Sequence, residues 1–208
     1  IFYQILKYAS DFNTLIIGHP QDYFLTKNTS ATNGVFASIK GLSSSPDLAE
    51  KIGIERDTAL IRNLNIRYHA DQVTTKIGLD VLRDVKATNN RITAGTSVHH
   101  LLFNELDIGN YRTFFKLKPP LRSNADREAL TEAIREGLID NICSMHTPQD
   151  EESKRLPFEE AAPGAVGLET ILPASLSLYH NKILSLNQLF RLLAFNPANI
   201  IKKSLGCL

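Results

Sequence analysis

Four short apolar runs alternate with helix-patterned segments, and this alternation constrains the fold of the chain more than any other feature. The runs are Thr14-Leu15-Ile16-Ile17, Asn65 to Ala70, Arg91 to Gly95 and Ile139 to Cys143. The first is continuously apolar, as a strand buried on both faces of a parallel sheet has to be. Between the runs, Lys76 to Thr88 places Ile77, Val81, Leu82 and Val85 on one helical face. Ser123 to Gly137 does the same with Leu130, Ala133, Ile134 and Leu138. Ser123 with Asp126 three residues on forms a capping arrangement, and Gly137 is a helix stop. A third helix is predicted from Ser45 as N-cap and Pro46 as first residue, with Leu48, Ala49, Ile52, Ala59 and Leu60 buried and Glu50 and the Arg56-Asp57 pair on a solvated or ion-paired face. This order of elements is that of a parallel α/β fold. A complete (β/α)8 barrel has eight such strands and takes about 250 residues.

Composition excludes several classes. A formal net charge of +1 gives no reason to expect nucleic acid or an anionic membrane as partner. No apolar run reaches the ~20 residues that span a bilayer. The two cysteines, Cys143 and Cys207, form no CxxC motif or disulfide framework, which fits a reducing cytoplasm. The chain begins with Ile1 rather than Met, inside a helical pattern, so a piece of a longer protein is expected, forming a single domain over 1–208.

In parallel α/β folds the residues just past the strand ends carry the chemistry. Here these are His19-Pro20-Gln21-Asp22, His69-Ala70-Asp71-Gln72 and Ser144-Met145-His146-Thr147-Pro148-Gln149. Lys116-Leu117-Lys118-Pro119-Pro120-Leu121-Arg122 is a rigid loop, since each residue before a proline is pushed to extended geometry. Taken alone, a histidine after a strand is more often structural than a metal ligand.

The stretch from Phe115 to Thr170 resembles the dihydroorotases, zinc-dependent cyclic amidohydrolases of pyrimidine synthesis. That family reads close to KxNPPLR, then IDxIATDHAPH, then PFxxAPPGxxGLET; this chain has Lys118-Pro119-Pro120-Leu121-Arg122, Ile139 to Gln149, and Pro157-Phe158 through Gly167-Leu168-Glu169-Thr170. Val98-His99-His100-Leu101-Leu102 is similar to the family's PHHLL and is read as packing behind the site. The resemblance implies a (β/α)8 barrel of the amidohydrolase type, of which this chain supplies the C-terminal half or more.

It also assigns roles. His19 falls where the family's HxED segment supplies a zinc ligand, whereas a second ligand position, in HxxHxS, is Gln72. The aspartate that binds metal and shuttles the proton is replaced by Met145. The asparagine that bonds the substrate ring is Lys118, and the histidine closing DHAPH is Gln149. Pro163 and Gly164 keep the turn whose backbone lies near substrate. Amide oxygen and thioether are poor zinc donors, and a thioether accepts no proton. The expectation is therefore a catalytically inactive dihydroorotase-like subunit with no bound cofactor, supporting aspartate carbamoyltransferase; a homo-oligomer is compatible with it. The alternative is an active zinc-dependent amidohydrolase with an altered ligand set, for which His19, His69, His146, Asp71 and Asp150 could regroup around an ion.

Overall fold

The computed structural model describes residues 1–206 except Asn13 and Asn65. Helix α1 (Phe2–Ser10) leads into strand β1 (Leu15–Gly18). The long polar segment that follows holds α2 (Tyr23–Thr26), β2 (Ala31–Thr32), α3 (Val35–Lys40) and β3 (Ser44–Ser45). Then come α4 (Leu48–Ile61), β4 (Arg67–Ala70), α5 (Lys76–Thr88), β5 (Ile92–Ser97) and α6 (Val98–Leu102). A loop with two 3-10 turns connects to α7 (Asn124–Arg135), β6 (Asn141–Cys143) and α8 (Glu151–Arg155). The last elements are α9 (Ile171–His180), α10 (Leu186–Phe190) and α11 (Asn196–Ile200), the latter two joined by a π-helical turn, Arg191–Phe195.

Strands β1, β4, β5 and β6 form one parallel sheet in that order, with Ile16 opposite Tyr68, Tyr68 opposite Ile92, and Thr96 opposite Ile142. Helices α4, α5 and α7, which fill the crossovers, pack against their neighbours in sequence. This is the βα repeat of the parallel α/β fold that the order of elements predicts. No described helix is long and apolar enough to cross a membrane.

The main core gathers Leu6, Ile54, Tyr68, Leu82, Ile92, Leu130, Ile139 and Leu189, all essentially inaccessible. Each such side chain contributes about 1.5–3 kcal/mol of transfer free energy. A second apolar cluster, including Ala31, Leu42, Leu117, Leu121 and Phe158, packs the segment around β2 and β3 against the loops before α7 and after α8.

Helix caps follow their sequence signals closely. Ser123 Oγ accepts from the Asp126 amide, Gly137 closes the segment after α7 at φ 77°, and Ser185 and Gln188 form a reciprocal capping box on α10. Three expectations need correction. Ser45 pairs in β3 instead of capping a helix, and α4 starts two residues later than predicted, after Asp47. The inward face of α4 is Ala49, Glu50, Gly53, Ile54, Asp57, Thr58 and Ile61, while Leu48 and Ala59 lie outside. Glu50 and Asp57 are thus buried, not solvated, because each has hydrogen-bond donors waiting in the interior.

Candidate active site

Every strand of the sheet ends on the same side, and the loops leaving β1, β4 and β6 converge there with the Lys118–Arg122 loop and the Pro163-Gly164 turn. Together they enclose a cavity of about 330 Å3 lined by His19, Gln72, Lys118, Met145, Thr147, Pro163 and Gly164. Six of the seven positions singled out in the sequence line this one cavity. The seventh, Gln149, lies behind it and donates from Nε2 to the Pro163 carbonyl at 3.2 Å. Thr147 was missed; its one signal was its place between Met145 and Gln149. A wider groove of about 650 Å3, bounded by Arg62, Leu64, Asp84 and Arg91, opens before β4 and β5, the end of such sheets that carries stability, not chemistry.

Local backbone geometry directs side chains into the cavity. Gln72 and Met145, at two separate strand exits, both adopt the left-handed region, with φ 60° and 48°. That conformation costs an ordinary residue about 1–2 kcal/mol and persists where the surrounding structure enforces it. At Gly164, φ is 137°, and a Cβ would collide with the Thr147 carbonyl, so the turn closes tightly on the strand exit. The Lys118–Pro119 peptide is cis.

Electrostatically the cavity is mixed. Burial lowers the pKa of His19; Asp71 opposes this and Lys118 reinforces it. Burial raises the Asp71 carboxyl, and His19 pulls it back. The Cys143 thiol on β6, beside Asp71, is pushed up to about 12 mainly by burial, which keeps it protonated at neutral pH.

A zinc ion needs several imidazole, thiolate or carboxylate donors. Among the described residues, no group of three or more His, Cys, Asp or Glu is arranged to hold a metal ion. The described cavity offers one imidazole, an amide, a thioether and an ammonium, a set that does not fit zinc. The regrouped set is not assembled either: His19 and Asp71 face each other, but the other three members are occupied elsewhere. His69 Nδ1 bonds Thr93 Oγ1 at 2.8 Å inside the sheet, and burial lowers its pKa to about 4. His146 Nδ1 accepts from the Gly167 and Leu168 amides, each at 3.2 Å. Asp150 caps α8 through the Ser153 amide at 2.8 Å. His99 and His100 are buried, as expected of packing residues; His100 Nε2 donates to the Pro120 carbonyl at 3.2 Å.

Sheet order and the cavity at the strand exits are those of a parallel α/β barrel, and comparison with known proteins narrows this further. The chain superposes on L-hydantoinase (dihydropyrimidinase) from Arthrobacter aurescens with a TM-score of 0.87 and 23% identity, covering 100% of this chain and 48% of that one. It also superposes on dihydroorotase from Saccharomyces cerevisiae, solved with 5-fluoroorotic acid, with a TM-score of 0.76, 17% identity and coverage of 97% and 53%. At these identities the likeness concerns the fold. In sequence, the chain is 38% identical over 204 residues to a dihydroorotase of Ehrlichia canis, covering 98% of this chain and 46% of that protein. It is 39% identical over 173 residues to a dihydroorotase of Bacillus licheniformis, covering 83% and 40%. No protein-family model matches it. Over nearly its whole length the chain is thus similar in sequence to dihydroorotases, and it spans about half the length of the curated relatives it matches.

Proposed function

We propose that this chain forms part of a dihydroorotase-type cyclic amidohydrolase of pyrimidine biosynthesis, with the rim cavity as the seat of the cyclic amide. The observation that supports it is the convergence of His19, Gln72, Lys118, Met145, Pro163 and Gly164, from separate loops, on one cavity of about 330 Å3. A pocket of that size accommodates a single heterocycle. Lys118 brings an ammonium to its rim, the right charge for the carboxylate of dihydroorotate. Among the described lining residues, His19 is the group with a proton-accepting ring nitrogen, and burial favours its neutral form. The described residues do not by themselves fit a zinc ion, so in this reading the remaining donors are supplied from outside them.

A second reading is favoured by Met145 and Gln72, which stand where the family pattern places a metal-binding aspartate and histidine. In it the protein is a cytoplasmic, catalytically inactive subunit whose barrel serves as a surface supporting aspartate carbamoyltransferase. One experiment separates the two. The full-length protein is expressed with its native aspartate carbamoyltransferase, and zinc content and dihydroorotate ring opening are measured. Stoichiometric zinc with turnover is the result the first reading requires. Inert, zinc-free protein that co-purifies with the transcarbamoylase supports the second, and inert protein that does neither removes both.

A further inference from the structure

Glu50 lies on α4, is completely inaccessible, and takes part in the proposed chemistry only indirectly. Its carboxylate is nevertheless shared by three loops of the rim. Oε2 accepts from Gln21 Nε2 at 3.0 Å, two residues beyond His19. Oε1 accepts the amides of Thr74 at 2.9 Å and Thr75 at 2.8 Å, just past Gln72, and the Thr75 hydroxyl at 2.9 Å; the Thr74 hydroxyl reaches Oε2 at 2.6 Å. Arg122, four residues past Lys118 and 2% exposed, places Nη2 3.6 Å from Oε2 and donates from Nε to Thr74 Oγ1 at 3.0 Å. Its Nη1 reaches Thr32 and Asp47. One turn further along α4, Gly53 lets the helix touch the backbone of Pro20 and Gln21, where any Cβ would collide.

We propose that Glu50 is the positioning residue of the rim: a single buried carboxylate, neutralised by Arg122, that holds the loops bearing His19, Gln72 and Lys118 in one mutual register. The alternative is that Glu50 merely helps α4 to pack, but a packing residue needs only one partner, whereas this one is bonded to both neighbouring strand exits and paired with the proline loop. A hydrogen bond to a charged group contributes about 1.5–3 kcal/mol. Its loss from a loop raises local opening about ten- to a hundredfold without unfolding the sheet. The role rests on the rim cavity being the ligand site proposed above.

The test is hydrogen exchange on the full-length protein and its Glu50→Gln and Glu50→Asp variants, without ligand. In Glu50→Gln, segments 19–22, 72–75 and 118–122 are expected to exchange about ten- to a hundredfold faster together, with β4 and β5 unchanged and Glu50→Asp partly restoring protection. Faster exchange confined to 72–75, or rising evenly through the strands, overturns the proposal. Should Glu50→Gln not fold, Gln21→Ala and Thr74→Val carry the same test: each is expected to loosen its own loop and also 118–122, and loosening confined to the mutated loop overturns it. Exchange is read without substrate, so failure here leaves the dihydroorotase reading standing, and absent turnover leaves this one standing.

Discussion

Tyr68 in the middle of β4 is fully buried and donates its hydroxyl to Asp57 Oδ2 at 2.5 Å, while Arg56 Nη2 holds the other oxygen at 2.7 Å. Buried polar groups of this kind are stable only when paired, and the interior histidines obey the same rule by staying neutral. Burial pushes His69 down to about 4 and His100 down to about 3, from an ordinary value of 6.5. Below pH 6.5 the unfolded chain binds protons that these folded side chains refuse. The stability they protect is therefore complete above pH 6.5 and is lost as pH falls, toward 4 for His69 and toward 3 for His100. Each group contributes a slope of up to about 1.4 kcal/mol per pH unit across its window. Urea unfolding at pH 7, 6 and 5 is expected to show falling stability, with a shallower fall in His100→Gln. Equal slopes in the two proteins would contradict this account of His100.

At the scale of elements, α4 is the instructive case. Its hydrophobic pattern was misread because the face it turns inward is half polar: Glu50, Asp57 and Thr58 sit among Ala49, Ile54 and Ile61. Periodicity finds apolar stripes, and a stripe of paired polar groups escapes it. By contrast α5 and α7, capped by Thr75 and Ser123, begin and end within two residues of the predicted bounds, although α5 buries Gly78 and Leu79 beside Leu82 and α7 buries Asp126 beside its apolar stripe. In α9, which begins at Ile171, Pro173 sits in the first turn, where its missing N–H has no helical partner anyway. Close approach of α4 to the rim gives a prediction with a decisive sign. Gly53→Ala would raise helix propensity by about 1 kcal/mol if nothing touched it. Collision with Pro20 reverses this, and the variant is expected to be less stable by about 1–3 kcal/mol in urea denaturation. A stabilised variant would show that α4 does not press on that loop.

For the whole molecule, the parallel sheet and the location of the site could be read from strand order and from the loops that follow each strand. The site's membership was legible because the family pattern marks individual positions on those loops. What holds those loops together was not, since Glu50 and Arg122 are 72 residues apart and nothing local in either sequence context signals the pairing. The central claim is that this cavity receives a carboxylate-bearing cyclic amide beside Lys118. Calorimetric titration of dihydroorotate into the full-length protein and into Lys118→Ala tests it most directly. Saturable binding that weakens about tenfold in the variant, the loss of one charge-assisted hydrogen bond, is the predicted result. No binding to the unmodified protein, or equal affinity in the two, would contradict it.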